Sequence, residues 1–169
     1  ANANKILARF LTTQPDAVLA AIHGGNLRNA IAREAEAVIG IPYSSKDNVV
    51  AELNQFAAII EGEVGDIEKG MKLTIETVDT PETVIEKEVA DRLIKALIVC
   101  PHGVQGMSRS MPGLVETSTN MASVKMIEPG VIKVETSQRS SVESEKRAIA
   151  QAVATTFSLA GAEVKQGSG

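Results

Sequence analysis

Leu114-Val115-Glu116-Thr117-Ser118-Thr119-Asn120-Met121-Ala122-Ser123-Val124-Lys125-Met126-Ile127, then Glu128-Pro129-Gly130, then Val131-Ile132-Lys133-Val134-Glu135-Thr136-Ser137-Gln138 is the stretch that decides the fold. Two extended runs around a Pro-Gly turn predict an antiparallel hairpin. Downstream, Ser140-Ser141-Val142-Glu143 has the form of a capping box, and Ala148, Ile149, Ala152, Val153 and Phe157 repeat at helical spacing until Gly161. Ala162-Glu163-Val164-Lys165 is expected to add a final strand.

Upstream, His102 to Pro112 has no clear period and reads as a loop. Before it, Pro81 opens a helix whose Ile85, Val89, Leu93 and Ala96 line one face, with its exit at Pro101. Met71-Lys72-Leu73-Thr74-Ile75-Glu76-Thr77 alternates strictly, which predicts a strand with one buried face. Val49, Leu53, Phe56, Ile60, Val64 and Ile67 predict a helix capped by Ser44-Ser45 and stopped at Gly70. Strands are expected at Ala17–Ile22 and Ala35–Ile41 around the turn His23-Gly24-Gly25-Asn26, and a first helix ends before Pro15.

The order helix, strand, strand, helix, strand thus occurs twice, which predicts an internal duplication with pseudo-repeats of about 1–80 and 81–169. Helices gathered on one face of a mostly antiparallel sheet make an α+β sandwich of two layers. The uncovered sheet face and edges would then call for a partner.

The 169 residues suit one compact domain, 1–169. Hydrophobic residues are 44% and charged residues 22%, which excludes disordered and collagen-like classes. The aromatic side chains are Phe10, Phe56, Phe157 and Tyr43 alone, so the core must be aliphatic and base-stacking platforms are excluded. A formal net charge of −4 offers no footprint for a phosphate backbone, so no nucleic-acid partner is expected. No apolar run reaches the ~20 residues of a membrane span and no signal-peptide pattern opens the chain. Ala1 leads directly into helical spacing, and Gln166-Gly167-Ser168-Gly169 reads as a tail or linker, so both ends predict a domain taken from a longer chain.

Side chains for chemistry are few. Cys100 cannot form an internal disulfide and follows an apolar run, which predicts a small buried hydrophobe. His23 and His102 lack a motif partner, so neither is expected to be catalytic, and with Cys100 they make no self-contained zinc site. No Gly-x-Ser-x-Gly elbow supports a serine hydrolase. Arg139 stands at a strand end just before a Ser-capped helix, where a guanidinium and free helix amides could converge on a small carboxylate or phosphate; the plain alternative is an exposed strand-end Arg. Asn29 lies in a glycine-rich crossover that lacks the dinucleotide fingerprint, and taken alone reads as a turn residue.

Two stretches carry a resemblance. Asn2-Ala3-Asn4-Lys5 with Leu7, Arg9, Phe10 and Leu11, followed by Gly24-Gly25-Asn26-Leu27-Arg28-Asn29-Ala30-Ile31-Ala32-Arg33-Glu34-Ala35, resembles the lid domain of bacterial aminoacyl-histidine dipeptidases, also called Xaa-His or cytosolic non-specific dipeptidases. Pro112-Gly113-Leu114-Val115-Glu116-Thr117-Ser118-Thr119-Asn120 resembles a second hallmark of that family. The resemblance implies a cytoplasmic, two-domain zinc metallopeptidase whose metal ligands all lie outside this chain. The chain would be its lid and dimerisation domain, partnered by its own catalytic domain, a dipeptide substrate and a second copy, with no cofactor of its own. It implies substrate-binding roles for Asn29, near the reacting carbonyl, and Arg139, on the substrate's C-terminal carboxylate. Asn120 is implied to hold the strand pair. Ala32 departs from the family's usual Pro and loosens the turn after Asn29. The alternative from a different class is a stand-alone module that binds small carboxylates or dimerises.

Overall fold

In a computed structural model that describes residues 1–167, the chain runs α1 (Ala3–Thr12), β1 (Val18–Gly24), β2 (Ala35–Gly40), a 3-10 turn (Tyr43–Ser45), α2 (Lys46–Val64), α3 (Lys87–Val99), β3 (Gly103–Met107), β4 (Val115–Glu128), β5 (Val131–Ser140) and α4 (Glu143–Leu159). Ser168 and Gly169, the end of the expected tail, lie outside the described residues. The architecture is α+β, with a five-stranded antiparallel sheet and helices α1, α3 and α4 on one face.

The β4–β5 hairpin is the spine of the sheet. Glu128 pairs with Val131 across Pro129-Gly130, and Gly130 takes φ +79°. Pro presets the first central residue and glycine alone accepts that φ at the second without strain, so the turn chemistry fixes the register. Val124 opposite Val134 and Met126 opposite Ile132 face the helices. At Ala122 β4 carries an extra residue between Met121, opposite Thr136, and Ser123, opposite Glu135. The bulge keeps Met121 and Val124 on the same face although they are three positions apart.

One edge of β4 is taken by β5 and the other is shared. β1 pairs only at Val124 and Lys125, whereas β3 pairs along Val115–Thr119. β2 lies outside β1. The main core joins Ala8 and Leu11 of α1, Leu19 and Ile22 of β1, Ala96 and Leu97 of α3, Met121 and Val124 of β4, and Val153 and Phe157 of α4. Ile85 precedes α3, yet its side chain is buried and its N–H donates to the Leu19 carbonyl at 2.7 Å.

Several local expectations are corrected. Met71–Thr77 forms no strand, because alternation supplies a buried face but no backbone partner; Leu73 instead packs onto a second cluster of Phe10, Val49, Leu53, Ile41 and Phe56. α2 joins this cluster through Val49 and Leu53, on the flank of α1, and Arg9 holds Glu63 by two 2.9 Å hydrogen bonds. α2 also stops at Val64, leaving Ile67 84% exposed. The loop expected over 102–112 contains β3, hidden in the sequence by Gly103 and Gly106 and by two register shifts. Ala162–Lys165 is not a strand. The order is therefore α-β-β-α followed by α-β-β-β-α, without the closing strand expected for either repeat.

The capping serines are corrected as well. Val142 is the N-cap of α4, while Ser140 Oγ accepts from the Val142 N–H at 3.1 Å and meets Thr117 Oγ1 at 2.9 Å. Ser45 precedes α2 without a side-chain cap. Both hydroxyl patterns yield to the approach of the chain from the sheet.

Candidate functional site

Arg139 lies on β5 opposite Ser118, and Asn120 lies opposite Ser137. Cross-strand partners share a face, and alternation puts all four on the face away from the helices. Arg139 is exposed and makes no ion pair or side-chain hydrogen bond among the described residues. The first turn of α4 carries Glu143 and Glu145, and its cap is Val142, so the neighbouring helix terminus adds no serine hydroxyl and presents two carboxylates.

Asn29 occupies the turn in the connection from Gly25 to Glu34, with an exposed side chain. That turn is held by Ala30 N–H to the Leu27 carbonyl at 3.3 Å. Asn120 reaches it from β4, its Nδ2 donating to the Ala30 carbonyl at 2.9 Å and to the Arg28 carbonyl at 3.5 Å. The motif match of Asn120 had pointed to the strand pair; the structure places its amide on the 28–30 turn instead. Asn120 thus links the turn that carries Asn29 to β4, whose partner strand β5 carries Arg139. Asn120 is marked by the motif, but its contact with this turn escapes sequence reading because the partners lie about ninety positions away.

Between β1 and β3 the edge of β4 has no strand partner at Met121, and two side chains take its place. The Met121 carbonyl accepts from Asn2 Nδ2 at 2.7 Å and its N–H donates to His102 Nδ1 at 3.2 Å. Gly25 passes so close that an added Cβ would stand 2.0 Å from the Ala122 carbonyl, and its φ is +77°. Asn2 also caps α1 through the Asn4 N–H at 2.9 Å, and Asn4 donates to the Gly24 carbonyl at 3.2 Å. Lys5 Nζ donates to the carbonyls of Ile98, at 3.0 Å, and Cys100. The Asn2–Lys5 motif therefore ties α1 to β1, β4 and the end of α3.

His102, with Nδ1 accepting, is the neutral imidazole with its proton on Nε2. Burial, and then the nearby ammonium groups of Lys5 and Ala1, hold its pKa below the ordinary histidine value. Burial lowers Lys5 in the same way. It pushes the Cys100 thiol up to about 11, so Cys100 is an inert buried group. His23 is exposed on β1 between Glu36 and Lys125. Among the described residues no three His, Cys, Asp or Glu side chains gather into a group that could hold a metal ion. A groove between α3 and α4, lined by Ala96, Val99, Ala152 and Leu159, contains neither Asn29 nor Arg139.

Residues 1–68 match the family model described as a peptidase dimerisation domain. That segment is similar to a peptidase dimerisation domain. Relatives of the whole chain extend the match beyond that segment. The chain is 32% identical over 167 residues to the cytosol non-specific dipeptidase of Escherichia coli (strain K12), covering 97% of this chain and 34% of that protein. It superposes on the crystal structure of aminoacylhistidine dipeptidase from Vibrio alginolyticus with a TM-score of 0.92 and 33% identity, over 96% of this chain and 34% of that one. The chain thus spans about a third of the length of each relative. No helix among the described residues is long and apolar enough to cross a membrane.

Proposed function

We propose that this chain is the lid and dimerisation domain of a larger cytoplasmic dipeptidase that hydrolyses Xaa-His and other dipeptides. The observation that carries the reading is the match along 96% of the chain, at a TM-score of 0.92, to part of an aminoacylhistidine dipeptidase. Arg139 takes the substrate's C-terminal carboxylate as a charge-assisted pair, for which its exposed and unpaired guanidinium is suited. Asn29 lies near the scissile carbonyl, where an amide can both donate and accept. Lid closure orients the dipeptide and excludes water.

Zinc, or another divalent metal, belongs to the catalytic domain, where it supplies an activated water and a polarised carbonyl. Among the described residues no group of side chains offers a site for it, and no step of the lid's work runs through it. A second copy joins through the lid, a role to which the unpaired outer edge of β5 is suited.

Arg139→Ala in the full-length enzyme tests the reading. Loss of a charge-assisted contact to substrate should raise KM for dipeptides by roughly tenfold or more with a smaller change in kcat. Unchanged KM and kcat would remove Arg139 from the site. The isolated chain with added zinc should not hydrolyse an Xaa-His dipeptide; measurable turnover would mean that the catalytic groups lie here.

A further inference from the structure

The turn that carries Asn29 has little to hold it. Leu27 and Ile31 on either side are 61% and 53% exposed and a single 3.3 Å backbone hydrogen bond closes the turn, while firm anchoring of the connection begins only at Ala32, which is buried and whose carbonyl accepts from the Ala3 N–H at 2.9 Å. The one side chain that reaches the turn from the sheet, among the described residues, is Asn120. Its Nδ2 is shared between the carbonyls of Arg28 and Ala30, the residues on either side of Asn29.

The orientation of that amide follows from its partners. Two carbonyl oxygens on one side require the NH2 group there, since the reversed amide would set three acceptors against each other. The consequence is visible in Asn120 Oδ1, which is buried without a hydrogen-bond partner. An amide that leaves its own acceptor unsatisfied is committed to the turn. Asn120 is also fixed with respect to Arg139, because the hydrogen-bonded β4–β5 ladder sets Asn120 against Ser137 and Ser118 against Arg139.

We infer that Asn120 is a positioning residue: it locks the turn presenting Asn29 at a fixed distance from the strand presenting Arg139, and so sets the spacing across which a dipeptide is held. The inference rests on the lid reading above. Small displacements of positioning groups carry large kinetic penalties, so the effect should appear in binding although Asn120 touches no substrate.

The test uses the full-length dipeptidase with Asn120→Ala and Asn120→Leu, the second keeping the branched shape without a donor. Either folded variant should raise KM by about tenfold with kcat within about threefold of the parent, as expected for lost substrate positioning. Amide hydrogen exchange should quicken at residues 28–31 and stay unchanged along β4 and β5. In an Asn29→Ala background the Asn120 substitution should add nothing, because residues acting through one another are not additive. Unchanged KM in both variants while Asn29→Ala and Arg139→Ala are impaired would overturn the inference and leave the lid reading standing. A full additional loss on top of Asn29→Ala would overturn it as well. If Asn29→Ala and Arg139→Ala are both silent, the lid reading itself fails and the inference with it.

Discussion

Met71–Thr77 and the β4–β5 hairpin are written in a similar alternating pattern, yet one is an irregular segment and the other is the spine of the sheet. The hairpin brings its own partner. Pro129-Gly130 returns the chain two residues later, and the ladder then closes pair by pair from Glu128–Val131 to Thr117–Ser140. Met71–Thr77 follows a helix and Gly70 and has no returning strand beside it. Leu73 finds an apolar surface, but no backbone hydrogen bond outside helices and strands involves residues 71–77. Alternation therefore defines a face, whereas strand formation needs a neighbour that satisfies the N–H and C=O groups.

The largest test of this contrast is Met121→Ala. Met121 is fully buried at the meeting of α1, β4 and α3, so truncation should cost about 2–5 kcal/mol in denaturant unfolding. A loss below 1 kcal/mol would mean that the hairpin contributes no more than the irregular segment, on the usual scale for surface substitutions. Next comes Gly130→Ala, which forces a Cβ into φ +79° and should lower stability by roughly 1–2 kcal/mol without changing the fold. No change in thermal midpoint would show that the turn does not set the register.

His102 sharpens the comparison through pH, because it stands in for a missing strand on the β4 edge. Its folded-state pKa is lowered, so the unfolded chain takes up the proton first. Stability from this site is complete above the unfolded value of ~6.5 and declines as pH falls below it toward the folded pKa, by at most ~1.4 kcal/mol per pH unit. Protonation places the charge toward the Lys5 and Ala1 ammonium groups and removes the acceptor from the Met121 N–H. His102→Gln should flatten that part of the stability–pH curve; an unaltered curve would assign the acid sensitivity elsewhere. The smallest effect is expected from Ile75→Thr in the irregular segment, within about 0.5 kcal/mol in the same unfolding experiment, since Ile75 is 42% exposed. A loss of several times that would reveal a partner for this segment.

Legibility follows the range of the interactions. α1, the hairpin and the burial of Cys100 could be read locally, because apolar spacing, a Pro-Gly turn and an apolar run act over a few residues. β3 could not, since its two glycines break the pattern and only pairing with Val115–Thr119 makes it a strand. The serine cap of α4 was misleading because Ser140 is claimed by Thr117 across the hairpin. At the candidate site, Arg139 at the end of a strand was visible, whereas the tie from Asn120 to the turn around Asn29 was not.

By itself the sequence determined an aliphatic, aromatic-poor α+β domain, the hairpin at its centre and the two residues, Asn29 and Arg139, that a motif can point to. Tertiary structure decided which alternating run became a strand, which side chains completed the β4 edge, and that Asn120 joins the Asn29 turn to the Arg139 strand. The first set depends on interactions within one or two turns of chain. The second depends on hydrogen bonds between residues ninety or more positions apart, such as Asn2 to Met121 and Asn120 to Ala30, whose partners are known only once the chain has closed on itself.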